Sequence, residues 1–206
     1  KQIILLSNSG RRAEEYQSRL KKIGIDEKLF DHIVTSAETT WHLLSQEDDK
    51  AFHDVGEKCY LIGNTVKQPI TEGLDGIVIV DDMEQADFIL LTGVDPSRGT
   101  IEEYDGVLKV ASRRQLKMIC ANPEKIVTKD GQNHMGSGQI ASRYEECGGV
   151  VTYIGKPFPS IFQYAMSLFK DVYPSQICVI GDSLANDVLG ARHLDLDSAL
   201  IANGVH

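Results

Sequence analysis

The chain has 206 residues, 42% hydrophobic and 25% charged, the balance of a globular protein with room for one large or two small cores. Asp and Glu number 30 against 21 Lys and Arg, and the resulting net charge of −9 works against nucleic acid or an anionic membrane as a partner. No stretch is long and apolar enough to span a membrane, and no signal-peptide pattern is present.

Residues 3–6 form an apolar run of the kind expected for a strand covered on both faces, as in a parallel sheet. The run ends on Ser7-Asn8-Ser9-Gly10 and opens onto a helical stretch at 11–23. Hydroxyls, a small amide and backbone N–H groups between a strand end and a helix start make a cradle for phosphate. Arg11 and Arg12 fall in the first helical turn, where solvent-facing charge is a simpler reading than phosphate contact. A short strand at 33–36 and a helix at 37–45 follow, with Trp41 and His42 read as packing residues. Residues 46–50 are a solvated charge run.

An insertion then restarts the strand–helix alternation. Strands are expected at 59–62, 76–80, 88–92 and 117–121, with a long helix at 100–116. Asn122-Pro123-Glu124 begins the return from the insertion, and a plain Asn-Pro turn accounts for it equally well. The polar, glycine-containing segment 124–138 reads as a loop, and its His134 as solvated. Gly136-Ser137-Gly138-Gln139-Ile140-Ala141 imitates a dinucleotide fingerprint but lacks the strand that the fingerprint requires before it.

A helix from 139, a strand at 150–154, a helix at 160–170 and a strand at 176–180 complete the pattern, with a helix at 184–193 and a last strand at 198–202. Gly155-Lys156-Pro157 follows the first of these strands, so Lys156 stands at the sheet edge as a cation for a phosphoryl oxygen. Gly181-Asp182-Ser183 follows the second, and Asp187 comes five positions after Asp182. Ligands in open parallel sheets bind beyond the carboxyl ends of the strands. A strand end, a turn and the first helical turn aim both acids at one point, with Ser183 as N-cap. Two hard oxygen ligands at such a point describe a Mg²⁺ site that keeps waters for a phosphorylated substrate. The four cysteines show no Cys-x-x-Cys; Cys120 and Cys178 lie in apolar runs, so buried free thiols and a cytoplasmic location are expected.

The order of hydroxyl strand end, insertion, lysine strand end and paired-acid strand end resembles the haloacid dehalogenase-like hydrolases. The likeness is greatest to their class IIA capped phosphatases, the 4-nitrophenyl, phosphoglycolate and pyridoxal phosphatase relatives. Leu6-Ser7-Asn8-Ser9, Gly155-Lys156-Pro157-Phe158-Pro159 and the segment from Gly181 to Ala191 are similar to that family's second, third and fourth motifs. Cys120-Ala121-Asn122-Pro123-Glu124 looks like a segment of its caps.

The resemblance implies an α/β fold, a Rossmann-like parallel-sheet core with an inserted α/β cap: core at 1–36, cap at 37–136, core at 137–206. It implies a Mg²⁺-dependent phosphatase that hydrolyses a small phosphorylated metabolite through an aspartyl-phosphate. Ser7, with the backbone of Asn8 and Ser9, would hold phosphoryl oxygens. Lys156 would neutralise charge, Asp182 would ligate Mg²⁺, and Asp187 would orient metal waters or Lys156. Association of copies through the cap is a further expectation. The family's first motif, an Asp-x-Asp after the first core strand, has no counterpart here: Asp195-Leu196-Asp197 follows a helix, and Asp81-Asp82 lies in the insertion. The chain is therefore read as a fragment lacking its N-terminal strand and its nucleophile, and as inactive by itself. A non-catalytic ligand- or partner-binding homologue is the alternative.

Overall fold

A computed structural model describes residues 1–45, 55–63, 69–95, 97–129 and 131–204. The charge run at 46–50 lies outside the described residues. In chain order the elements are β1 (Ile4–Ser7), α1 (Ala13–Lys22), β2 (His32–Thr35), α2 (Ser36–Ser45), β3 (Lys58–Ile62), β4 (Val78–Val80) and β5 (Phe88–Leu91). Then come α3 (Asp105–Arg113), β6 (Lys117–Cys120), β7 (Ile126–Lys129), β8 (Gln132–Met135), α4 (Ser137–Glu146), β9 (Val150–Tyr153) and α5 (Pro159–Ser167). Strand β10 (Cys178–Gly181), a π-helical turn (Leu184–Val188), α6 (Leu189–Arg192) and β11 (Asp197–Leu200) close the chain.

The architecture is α/β with parallel sheets in the Rossmann manner. Strands β4-β3-β5-β6-β9 form one five-stranded sheet, and every pairing within it is parallel. Its central strands bury both faces, as continuous apolar runs in parallel sheets do. Ile89, Leu91, Met118 and Cys120 face Tyr104 and Leu108 beside and on α3, and Ile140 and Tyr144 on α4. Phe88, Leu90 and Ile119 face Ala37 on α2, Ile70 and Ile154. Two further parallel pairs, β1-β2 and β10-β11, stand apart from that sheet, and each is hydrogen-bonded along one edge of β1 and of β10 among the described residues. They share one cover: Ile161, Phe162 and Ala165 of α5 pack with Ile4, Leu6, Val34 and Val179.

Several expectations change. The strand expected at 150–154 to belong with the core instead pairs with β6, Lys117 opposite Val150, as the edge of the five-stranded sheet. An apolar run specifies a strand but not the sheet it joins. The loop read at 124–138 contains the antiparallel hairpin β7-β8, Ile126 opposite Met135. The helix at 100–116 is a 3₁₀ turn, Ile101–Tyr104, followed by α3. The helix expected at 184–193 opens as the π turn before α6. The strand expected to be buried at 176–180 is exposed on one face, with Ile180 at 68% and Cys178 also exposed, while Val179 on the other face packs with α5. All four cysteines are free thiols, and only Cys59 and Cys120 are buried. No helix among the described residues is long and apolar enough to cross a membrane.

Candidate active site

The ends of β1 and β10 and the turn after β9 meet at one place. Asn8, directly after β1, is buried and acts as a staple: its Oδ1 accepts the Lys156 N–H at 2.6 Å, and its Nδ2 donates to the Lys156 carbonyl at 3.0 Å. Ser36 Oγ also donates to Asn8 Oδ1, at 3.3 Å. This brings the lysine segment to the cradle across 148 positions of sequence. Gly155 is required just before it: its φ is +115°, and a Cβ there would stand 2.5 Å from Ser36 Oγ and 2.9 Å from Asn8 Oδ1. Ser7 Oγ accepts the Ser9 N–H at 3.2 Å, and Ser9 Oγ that of Arg11 at 3.2 Å, turning the chain tightly over the strand end.

Lys156 Nζ donates to Asp187 Oδ1 at 2.7 Å, and the two side chains are 16% and 8% exposed. Asp187 Oδ2 accepts the Ser183 N–H at 3.0 Å, so both of its oxygens are engaged. Ser183 caps the turn as expected, accepting the Asn186 N–H at 3.2 Å. Asp182, half-buried, stands directly beyond β10, one residue past the strand end and five before Asp187. Among the described residues no group of three or more His, Cys, Asp or Glu is arranged to hold a metal. One carboxylate completed by water and substrate phosphate is, however, a donor set that Mg²⁺ accepts.

The structure thus brings Ser7, Asn8, Ser9, Lys156 and Asp187 together where β1, β9 and β10 end, with Asp182 one residue beyond β10. Other candidates go elsewhere. Arg12 turns back to Glu38, Nε to Oε2 at 2.7 Å, and lies over the Trp41 ring at 4.1 Å. Arg11 pairs with Glu15. Trp41 donates to the Glu72 carbonyl at 2.8 Å and His42 stacks on Tyr164, as packing residues do. His134 is exposed on β8.

One residue of the site was not singled out as functional. Glu124 is half-buried, near enough to the Asn8 side chain and the Lys156 charge for both to act on its carboxyl. Burial pushes its carboxyl above the ordinary value, against the pull of Asn8 and of the Lys156 charge. The only sequence signal for it was the Asn-Pro-Glu segment itself.

Comparison with known proteins bears on the family and the fold. A family model described as haloacid dehalogenase-like hydrolase matches residues 1–75, and one described as HAD-hydrolase-like matches residues 153–206. An acid sugar phosphatase of Staphylococcus saprophyticus is 27% identical over 205 residues, covering 98% of this chain and 74% of that protein. The crystal structure of a haloacid dehalogenase-like hydrolase from Brucella suis 1330 matches with TM-score 0.85 and 30% identity, covering 100% of this chain and 77% of that one. Glycerol phosphate phosphatase Rv1692 from Mycobacterium tuberculosis, in complex with magnesium, shares the fold at TM-score 0.72 and 22% identity, covering 100% and 59%. With matches at both ends and 30% identity over its whole length, the chain belongs to the haloacid dehalogenase-like hydrolases, in the pattern of their class IIA phosphatases.

Proposed function

We propose that this chain carries the phosphate- and metal-binding machinery of a Mg²⁺-dependent phosphatase acting on a small phosphorylated metabolite. The observation that supports it most is the Lys156–Asp187 pair, docked on the β1 end through Asn8. Lys156 supplies a positive charge that a phosphoryl dianion needs, and Asp187 holds its ammonium in place. Ser7 and the backbone at Asn8 and Ser9 cradle phosphoryl oxygens, with Ser9 N–H shared with Ser7 Oγ. Asp182 is the metal ligand, and Mg²⁺ bound there would neutralise charge on the transferring phosphoryl group.

The attacking carboxylate belongs, in this reading, on a strand seated between β1 and β10. Among the described residues each of those two strands has one unpaired edge, and both pack with the helix α5. Attack on phosphorus gives an aspartyl-phosphate, the alcohol leaves with a proton, and water hydrolyses the intermediate. The division of the chain follows β9: the inserted unit extends to about Ile154, and the core resumes at Gly155. The acid sugar phosphatase likeness favours a phosphorylated sugar or similar polyol as substrate.

The protein expressed from its complete gene should turn over 4-nitrophenyl phosphate with Mg²⁺, and the 206-residue chain should not. Turnover by the 206-residue chain above a mock preparation would sink the placement of the nucleophile. Lys156→Ala in the complete protein should lower kcat/KM about tenfold or more, and excess Mg²⁺ should not restore it. Phosphate binding without any turnover by the complete protein would favour a binding homologue instead.

A further inference from the structure

Lys156 and Pro157 carry three backbone polar groups between them: the Lys156 N–H, the Lys156 carbonyl and the Pro157 carbonyl, since proline has no N–H. Asn8 takes the first two, at 2.6 and 3.0 Å. The third goes to a different element. His193, directly after α6, has its Nδ1 3.1 Å from the Pro157 carbonyl oxygen. A carbonyl brings no hydrogen of its own, so the ring carries its proton on Nδ1 and donates. The Phe158 N–H closes the turn by donating to the Gly155 carbonyl at 2.8 Å.

His193 is held in place to make this contact. Its backbone N–H donates to the Leu189 carbonyl at 3.1 Å, which fixes it at the end of α6. Three positions before it, Gly190 lets α6 settle onto the lysine turn: a Cβ there would overlap the Phe162 ring and stand 3.3 Å from Pro157 Cα. Asp187, which holds the Lys156 ammonium at 2.7 Å, lies on the π turn that runs straight into α6. One short unit therefore grips the lysine twice, at its ammonium and, through the following proline, at its main chain. A lysine side chain is a flexible four-carbon stem, so where its ammonium meets a phosphoryl oxygen depends on where its backbone is fixed. The His193 ring itself is exposed and buries little apolar surface, so packing gives it little to do.

We propose that His193 is a positioning residue for Lys156: by donating from Nδ1 to the Pro157 carbonyl it completes the clamp that Asn8 begins from the β1 end, and so sets how the Lys156 ammonium reaches phosphate. This rests on the reading of Lys156 as a phosphate-binding cation.

The test uses the protein expressed from its complete gene, with His193→Ala, His193→Asn, Lys156→Ala and the double variant of His193→Ala with Lys156→Ala. Asn offers an amide donor close to where Nδ1 lies, and Ala removes it. Two quantities are read: kcat/KM for 4-nitrophenyl phosphate with Mg²⁺, and the Lys156 backbone amide signal by NMR. His193→Ala should lower kcat/KM about threefold to tenfold and shift the Lys156 amide signal, at an unchanged melting temperature. His193→Asn should recover most of both. In the Lys156→Ala background, removing the ring should cost nothing further, because the lysine it positions is gone. Turnover and a Lys156 signal unchanged in His193→Ala would overturn the proposal. So would the same fold-loss with and without Lys156, or equal losses in His193→Asn and His193→Ala with equal drops in melting temperature, which would mean packing alone. Wild-type turnover in Lys156→Ala would instead overturn the phosphatase reading of that lysine, while the Lys156 amide signal still decides whether His193 holds the turn.

Discussion

Glu38 shows how one side chain can tie two elements together. Its carboxylate takes Arg12 Nε at 2.7 Å, Arg12 Nη2 at 3.1 Å and the Ala13 N–H at 3.0 Å, joining α2 to the start of α1. Burial pushes the carboxyl up, but the Arg12 and Ala13 hydrogen bonds and the Arg12 and His42 charges outweigh it, so it titrates below its ordinary 4.5. A depressed acid contributes stability above its unfolded pKa and loses that contribution as pH falls through the folded value. Glu38→Gln should therefore cost about 1–3 kcal/mol near neutral pH. The gap to wild type should narrow steadily below about pH 4.5. Denaturant melts of both proteins at several pH values check this, and a gap independent of pH would refute it.

At the level of elements, the junction from β10 into its π turn depends on Gly181. A Cβ there would overlap the Asp187 carboxylate, which lies back across the strand end to reach Lys156. Gly181→Ala should push Asp187 off the ammonium, destabilise by about 1–3 kcal/mol and weaken phosphate binding. Melting curves and phosphate titration of that variant would expose the idea as wrong if both matched wild type. The residues on each side of this junction were legible from sequence, because a strand ending on Gly-Asp before a capped turn is a local pattern. So were β1, β5 and β6, whose apolar runs are short and bounded. The place of β9 was not legible, since pairing with Lys117–Cys120 is a long-range choice that its own residues do not encode. The β7-β8 hairpin was missed because Ile126 and Val127 are exposed and its partner strand is polar, leaving no buried periodicity; the Asp130-Gly131 pair in the sequence was the overlooked cue. Glu124 was unreadable for a related reason. The groups that act on its carboxyl, Asn8 and Lys156, are remote from it in sequence, and only the folded chain brings them near.

For the molecule as a whole, the contrast lies between a sheet whose central strands are buried on both faces and two strand pairs that are not. Phe88–Leu91 is fully buried, while Ile180, Leu200 and Ile201 face outward. The chain should accordingly lack a single stability. Local opening draws on few buried contacts around β10-β11 and on many around β5 and β6. Backbone amides of Cys178–Gly181 should exchange with deuterium at least about tenfold faster than those of Phe88–Leu91, and the Cys178 thiol should be modified long before Cys120, whose pKa burial pushes up to about 12. Uniform exchange across both regions would show one cooperative unit instead. The edge of β10 left unpaired among the described residues then has a meaning in time as well as in space: the strand proposed to carry the metal ligand is the part of this fold expected to open first, and whatever hydrogen-bonds along that edge should quieten it without touching any chemistry.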